Sequence, residues 1–135
     1  MVGSGSATPN QSLNNDQLGQ RVDTNDEWIR TRTGIHSRRI IGPDETLTGL
    51  SHAAGLAAMS MAGWEPESVE LILLATSTPD DLFGSAPQIQ AKLGAFNAAS
   101  FDLTAACSGF LFALVTAAQF LRNGTMKRAL VIGAD

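Results

Sequence analysis

The chain's single cysteine, Cys107, lies where the sequence passes from a predicted strand into a predicted helix. Residues 100–103 are typical of a short strand, and residues 110–122 predict a long helix that ends at Asn123 and Gly124. A turn that leads directly from strand to helix lifts one side chain above the edge of a sheet. The free N–H groups of a helix N-terminus stabilise a thiolate and can donate to an oxyanion. Cys107 is therefore a candidate nucleophile, and the alternative is a small buried cysteine.

The residues alone do not identify a catalytic partner for Cys107. A thiolate nucleophile needs a general base or an oxyanion donor, and the only histidines are His36 and His52. His36 lies in a basic loop, residues 32–39, and His52 near the start of an apolar helix, so both are interpreted as ordinary solvated or packed histidines. A lone cysteine forms neither an internal disulfide nor a cysteine-based metal cluster, and we predict no metal site.

The elements that must position Cys107 form an alternating pattern. Continuous apolar runs at residues 71–75 and 129–132 predict strands buried on both faces. Helices are predicted at residues 13–21, 48–62, 87–93 and 110–122, and another opens at a capping box formed by Thr24 and Glu27. The 48–62 helix is predicted to bury one apolar face, formed by Leu50, Ala54, Ala57, Ala58 and Met61. The pattern predicts an α/β fold with a largely parallel sheet in one domain, residues 1–135.

Composition and charge narrow the class of protein. The formal net charge is −4, from 9 basic and 13 acidic side chains, which argues against a dedicated nucleic-acid binder. The first residues lack the features of a signal peptide, and the uncharged stretch at residues 103–121 carries too many polar side chains for a membrane span. We expect a cytoplasmic protein without nucleic-acid or membrane partners. The 110–122 helix is apolar almost all round, which predicts that it is covered on more than one side.

Several blocks, in the same order, resemble β-ketoacyl-acyl carrier protein synthase III. They are VDTNDEWI at residues 22–29, TRTGI at 31–35, AACSGF at 105–110 and ALVIGAD at 129–135, with QIQ at 88–90 and LG at 93–94 between them. The resemblance implies a thiolase-like fold made of two similar α/β halves. Residues 1–135 would supply most of the N-terminal half, the C-terminal half would be absent, and residues 2–6 would be the remainder of a first strand.

The resemblance also implies a reaction and its residues. Cys107 would accept the acetyl group of acetyl-CoA as a thioester, and decarboxylated malonyl-acyl carrier protein would attack it, assisted by a histidine and an asparagine that this chain lacks. Acetyl-CoA is a substrate, so no cofactor is expected. The CoA-binding residues would be Thr24, Trp28, Arg32 and Thr33. Phe83 would reach the acyl pocket of the other subunit in a homodimer.

Two alternatives remain open at the level of sequence. One is a sister condensing enzyme of the same fold, such as a hydroxymethylglutaryl-CoA synthase or a long-chain condensing enzyme. The other is a non-catalytic fragment that only pairs with a partner chain.

Overall fold

The computed structural model describes all 135 residues and divides them into two compact units. The smaller unit is Thr8–Glu45, and the larger consists of Met1–Ala7 together with Thr46–Asp135. In the smaller unit, strand β1 (Gln11–Asn14) and helices α1 (Asn15–Gly19) and α2 (Asp26–Thr33) precede strand β2 (Ser37–Ile40). The two strands pair antiparallel, with Leu13 opposite Arg38.

The structure corrects three predictions for the smaller unit. The predicted helix at 13–21 is shorter, because Leu13 belongs to β1 and Asn14 caps α1 in a capping box with Gln17. The predicted box of Thr24 and Glu27 is wrong, since the side chain of Asn25 accepts the N–H of Trp28 and caps α2. The predicted basic loop at 32–39 is partly a strand, because its last three residues belong to β2. There the side chain of Arg38 donates to the carbonyl oxygen of Leu13 in β1, and that of Arg39 donates to the carbonyl oxygen of Asn10, which precedes β1.

The larger unit contains the parallel sheet. Its elements are α3 (Leu47–Ala62), β3 (Leu71–Ala75), α4 (Ala86–Leu93), β4 (Ala99–Leu103), α5 (Gly109–Arg122) and β5 (Ala129–Gly133). The strand order is β4-β3-β5, and both pairings are parallel. The fold class predicted from the alternating pattern is confirmed, and so are these three strands to within a residue at either end.

Alternate side chains of the central strand β3 enter two separate clusters. Ile72 and Leu74 pack with α3 and α4, whereas Leu71, Leu73 and Ala75 pack with α5. All five side chains of β3 are buried. The unit therefore has three layers, with helices on both faces of the sheet, as parallel strands require.

The buried face of α3 differs from the predicted one. The residues it buries are Leu47, Thr48, Ser51, Gly55 and Met59, while Met61 is 68% exposed. An alanine-rich helix offers little difference in hydrophobicity between its faces, so close packing decides which face is buried. A Cβ added to Gly55 would lie 3.3 Å from Leu130 Cδ2, which shows how closely this face approaches β5.

The predicted remainder of a first strand at residues 2–6 is not present as a strand. That segment packs on the backbone of α3 instead. A Cβ on Gly3 would lie 2.2 Å from the carbonyl oxygen of Ala58, and one on Gly5 would lie 2.3 Å from that of Ala54. The glycines are therefore required for this close approach.

No helix of the structure combines the length and the apolar character needed to cross a bilayer.

Candidate active site

Cys107 lies on a short helical turn between β4 and α5. A 3₁₀ turn, Ala106–Ser108, follows β4 and leads directly into α5, as predicted for a strand-to-helix elbow. Ala106 has φ 44°, the only non-glycine residue of the chain with positive φ. A left-handed conformation costs an L-residue about 1–2 kcal/mol. The cysteine is exposed, which contradicts the alternative of a buried packing cysteine.

Hydrogen bonds and close packing hold this elbow against the end of β3. The hydroxyl of Thr104 donates to the carbonyl oxygen of Thr76 at 2.9 Å, and the N–H of Thr76 donates to the carbonyl of Leu103 at 3.2 Å. Gly109 is buried at the start of α5, where an added Cβ would lie 3.4 Å from the Cβ of Ala75. The surrounding structure thus fixes the backbone on both sides of Cys107.

The first turn of α5 is not capped by any side chain. The start of α4 is also uncapped, whereas α1, α2 and α3 are capped by the side chains of Asn14, Asn25 and Thr46. A helix start carries partial positive charge on its N–H groups, and anions near it are stabilised. No side chain therefore occupies the N–H groups at the start of α5, beside Cys107.

Cys107 also borders an open groove of about 920 Å³. The walls of the groove come from the N-terminal segment, α3, α5 and the free edge of β5, and they are mostly small or apolar. At the Cys107 end, Asp135 Oδ1 accepts the N–H of Ser77 at 2.7 Å. The exposed thiol therefore has room beside it for a substrate with an apolar part.

The side chains predicted to bind CoA belong to the smaller unit. Trp28 is 54% exposed, so it is not the core tryptophan that an amphipathic helix would most often contain. The guanidinium carbon of Arg32 lies 5.0 Å from the centroid of the Trp28 ring, within cation–π range. Trp28 and Thr24 line a small surface cavity of about 240 Å³ together with Asp23 and Asn25.

The remaining residue of the predicted CoA set, Thr33, has its hydroxyl occupied within the helix. This hydroxyl donates to the carbonyl of Ile29 at 2.7 Å and accepts the N–H of Ile35 at 3.1 Å. It holds the end of α2, where Gly34 has φ 73°. The structure therefore brings Thr24, Trp28 and Arg32 to one surface, and Thr33 follows Arg32 as the last residue of α2.

Phe83 lies in the larger unit, at the tip of a loop formed by residues 78–85, and is 94% exposed. Sequence reasoning missed the two carboxylates that hold this loop, Asp80 and Asp102. Burial raises the pKa of Asp80, but hydrogen bonds from the Thr48 hydroxyl and from the N–H groups of Thr48 and Leu47 outweigh it and leave the pKa below its usual value. A charged residue within the predicted strand at 100–103 was the available signal for Asp102.

No three side chains of histidine, cysteine, aspartate or glutamate come together in an arrangement that could hold a metal ion.

Comparison with known proteins agrees with this geometry. A sequence model of the 3-oxoacyl-[acyl-carrier-protein] synthase III family matches residues 101–135, which contain Cys107 and the elbow. The β-ketoacyl-[acyl-carrier-protein] synthase III of Prochlorococcus marinus strain MIT 9313 is 78% identical over all 135 residues, and that of Synechococcus sp. strain WH7803 is 70% identical. By sequence, all 135 residues are similar to members of this family. It spans 40% of the length of each of these two relatives.

Solved structures show the same fold as the synthase III family. The 3-oxoacyl-[acyl-carrier-protein] synthase III of Aquifex aeolicus VF5 aligns with a TM-score of 0.94 at 45% identity, covering 98% of this chain and 43% of that one. The priming β-ketosynthase of the R1128 polyketide pathway also aligns with a TM-score of 0.94, at 39% identity, covering 98% of this chain and 40% of that one. The thiolase-like α/β fold of condensing enzymes, expected from the sequence blocks, is confirmed.

Proposed function

We propose that the protein that carries this chain is an acyltransferase of fatty-acid biosynthesis, which condenses acetyl-CoA with malonyl-acyl carrier protein to give acetoacetyl-acyl carrier protein. One observation carries the proposal. The only cysteine is exposed, beside an open groove, on a strained elbow at the start of an uncapped helix. This arrangement suits a nucleophile that must be reached by a thioester, and it occurs in a chain 78% identical to a β-ketoacyl-acyl carrier protein synthase III.

In the first half-reaction, the thiolate of Cys107 attacks the carbonyl carbon of acetyl-CoA. The bond between that carbon and the sulfur of CoA breaks, CoA leaves as its thiol after taking up a proton, and the acetyl group remains on the Cys107 sulfur. Backbone N–H groups at the start of α5 can donate to the oxyanion that forms.

In the second half-reaction, the malonyl group loses CO₂ and its electron pair forms a bond to the acetyl carbonyl carbon. The bond from that carbon to the Cys107 sulfur then breaks, which regenerates the thiolate and releases the product. The family resemblance implies that a histidine and an asparagine assist this step. By the same resemblance both would lie in the C-terminal half, so only the acyl transfer to Cys107 is assigned to these 135 residues.

Binding of the CoA thioester is assigned to the exposed surface of α2. The face of the Trp28 indole offers the adenine ring an apolar platform, and the guanidinium of Arg32 can stack with it or pair with phosphate. Thr24 lies beside them at the same cavity, and Thr33 is assigned to the mouth of the site. Phe83 is assigned to an acyl pocket across a homodimer, in a cytoplasmic enzyme that needs no cofactor.

The proposal is tested by acylation of the full-length protein. Incubation with labelled acetyl-CoA followed by intact mass analysis should show one acetyl group, which peptide mapping places on Cys107. Cys107→Ala should remove the label, and circular dichroism should show that the variant is folded. An acetyl label that survives this substitution would overturn the assignment.

A sister condensing enzyme is the second candidate. Besides the R1128 priming β-ketosynthase, a tetronic acid condensing enzyme aligns at 32% identity with a TM-score of 0.87, so the fold also serves other condensations. A full-length protein that acylates Cys107 but forms no acetoacetyl-acyl carrier protein would favour this candidate.

A further inference from the structure

Helix α2, which presents Trp28 and Arg32, has little apolar packing of its own. Only one of its eight residues, Ile29, is buried. A surface helix of a globular protein typically buries a stripe of about three to four apolar side chains in two turns. The position of α2 must therefore depend in large part on polar contacts.

A single buried side chain, that of Asn15, contacts both ends of α2. Asn15 Nδ2 donates to Asp26 Oδ1 at 2.8 Å, and Asp26 is the first residue of the helix. The same nitrogen donates to the carbonyl oxygen of Ile35 at 2.8 Å, and Ile35 directly follows Gly34, the C-cap. The amide of Asn15 thus joins the start of α2 to the segment that leaves its end.

The oxygen of this amide is occupied as well. Asn15 Oδ1 accepts Arg38 Nη2 at 2.6 Å, and Arg38 Nη1 donates to the carbonyl oxygen of Leu13 at 3.1 Å. Asn15 is 1% exposed, so water does not compete for these bonds. The guanidinium can only donate, and the carboxylate and the carbonyl can only accept, so only one orientation of the amide satisfies all three partners. A buried polar network that is fully satisfied is rigid.

Fixing the two ends of α2 also fixes the surface between them. Trp28 and Arg32 are four residues apart, and side chains with this spacing lie on the same face of a helix. Their cation–π contact holds them against each other. The two side chains therefore form one surface, whose position is that of the helix.

We propose that Asn15 is a positioning residue for the CoA thioester, because it holds both ends of α2 and thereby fixes the surface of Trp28 and Arg32. The inference rests on the proposed function, which assigns the adenine nucleotide of CoA to this surface. Asn15 is buried, so it acts through α2 and not by contact with the substrate.

The test compares two thioesters in the full-length protein. Acetyl-CoA carries the adenine nucleotide, whereas acetyl-pantetheine keeps the thioester and its arm without the nucleotide. Asn15→Asp preserves the size of the side chain and the acceptor for Arg38, but it removes the donor for Asp26 and Ile35. We expect the ratio of kcat/KM for acetyl-CoA to that for acetyl-pantetheine to fall about three- to tenfold, within the loss that one stacking contact allows. A general loss of folded protein would lower both values equally and leave the ratio unchanged.

Three further variants make the test decisive. Asn10→Asp adds the same charge at an exposed side chain that makes no hydrogen bond, and it should leave the ratio unchanged. Asn15→Asp combined with Asp26→Asn keeps the net charge of the parent and restores the bond between the two side chains with donor and acceptor exchanged. The ratio should therefore recover in this double variant. If Asn15→Asp does not fold, Asp26→Ala decides by the same ratio, since it removes one partner of Asn15 at a position 38% exposed.

The outcomes separate this inference from the proposed function. Acylation of Cys107 with a lowered ratio in Asn15→Asp and a recovered ratio in the double variant supports it. Acylation with an unchanged ratio, or without recovery, overturns it and leaves the proposed function standing. If Trp28→Ala also leaves the ratio unchanged, the nucleotide does not bind at this surface, and the inference fails while acylation of Cys107 stands. If the parent does not acylate Cys107, the proposed function fails and the positioning role fails with it.

Discussion

The outer face of α5 should make the 135-residue chain associate when it is expressed by itself. Leu111 is 67% exposed, Phe112 57% and Val115 58%, whereas Ala113 between them is completely buried against β3. Small side chains thus face the sheet and large apolar ones face water, and a contiguous patch of this kind favours association. We propose to replace the three exposed residues with glutamine in one variant.

The expected magnitude follows from these exposures. Full burial stabilises a large apolar side chain by about 1.5–3 kcal/mol, so covering three side chains that are still roughly 60% exposed contributes roughly 3–5 kcal/mol. Since about 1.4 kcal/mol corresponds to a tenfold change, the triple variant should associate between about 100-fold and several thousandfold more weakly. Its own free energy of unfolding should change little, because each substitution is at a surface position.

Analytical ultracentrifugation over a concentration series measures the association, and urea unfolding measures the stability. Ala113→Gln is the matched control, because Ala113 is packed between α5 and the sheet. Burying the amide there without a hydrogen bond costs about 1–3 kcal/mol, and overpacking by the larger side chain costs about another 1–3 kcal/mol. It should unfold the chain instead of dispersing it. A parent chain that stays monomeric with a sharp unfolding transition, or a triple variant that associates as strongly as the parent, would refute the reasoning.

Two other predictions concern the full-length protein. Trp28→Ala should raise the KM for acetyl-CoA with little change in kcat, because stacking contributes only about 0.5–1.5 kcal/mol beyond area burial. Steady-state kinetics measures the KM of this variant and of a Leu56→Ala control. An unchanged KM in Trp28→Ala would show that Trp28 does not bind acetyl-CoA. Asp80 has a pKa below its ordinary value of 3.8, so its carboxylate stabilises the fold at neutral pH and loses this contribution as the pH falls below that value. Urea unfolding at a series of pH values should show parent and Asp80→Asn converging under acid conditions, and a stability difference that does not vary with pH would contradict the cause assigned.

The parts of the fold that the sequence predicts are those determined by local pattern. The run at Leu71–Ala75 is apolar at every position and forms the central strand, buried on both faces. The elbow was predicted because a strand pattern and a helix pattern meet at Cys107. Both the elbow that carries Cys107 and the layer architecture follow from short stretches of the chain, and for this reason they agree with the structure.

The remaining features depend on residues that lie far apart in the sequence. Arg38 belongs to a strand because its side chain donates to the carbonyl of Leu13 and to Asn15 Oδ1, contacts that no local pattern reports. The face of α3 was mispredicted because its alanines leave tertiary packing to select Thr48 and Ser51 for burial. The anchoring of the Phe83 loop by Asp102 was likewise invisible, since backbone N–H groups are its partners.

The uncapped start of α5 has a consequence for anyone who seeks to stabilise this protein by substitution. Ser108 stands at the capping position with helical dihedral angles, φ −94° and ψ −2°, so a cap there would require the backbone to leave the 3₁₀ turn that carries Cys107. Aspartate at this position would place a negative charge directly next to Cys107 and would repel a thiolate, the form that the proposed acyl transfer requires. A substitution at residue 108 that stabilises the start of α5 should therefore raise the melting temperature and lower the rate at which Cys107 is acylated in the proposed reaction.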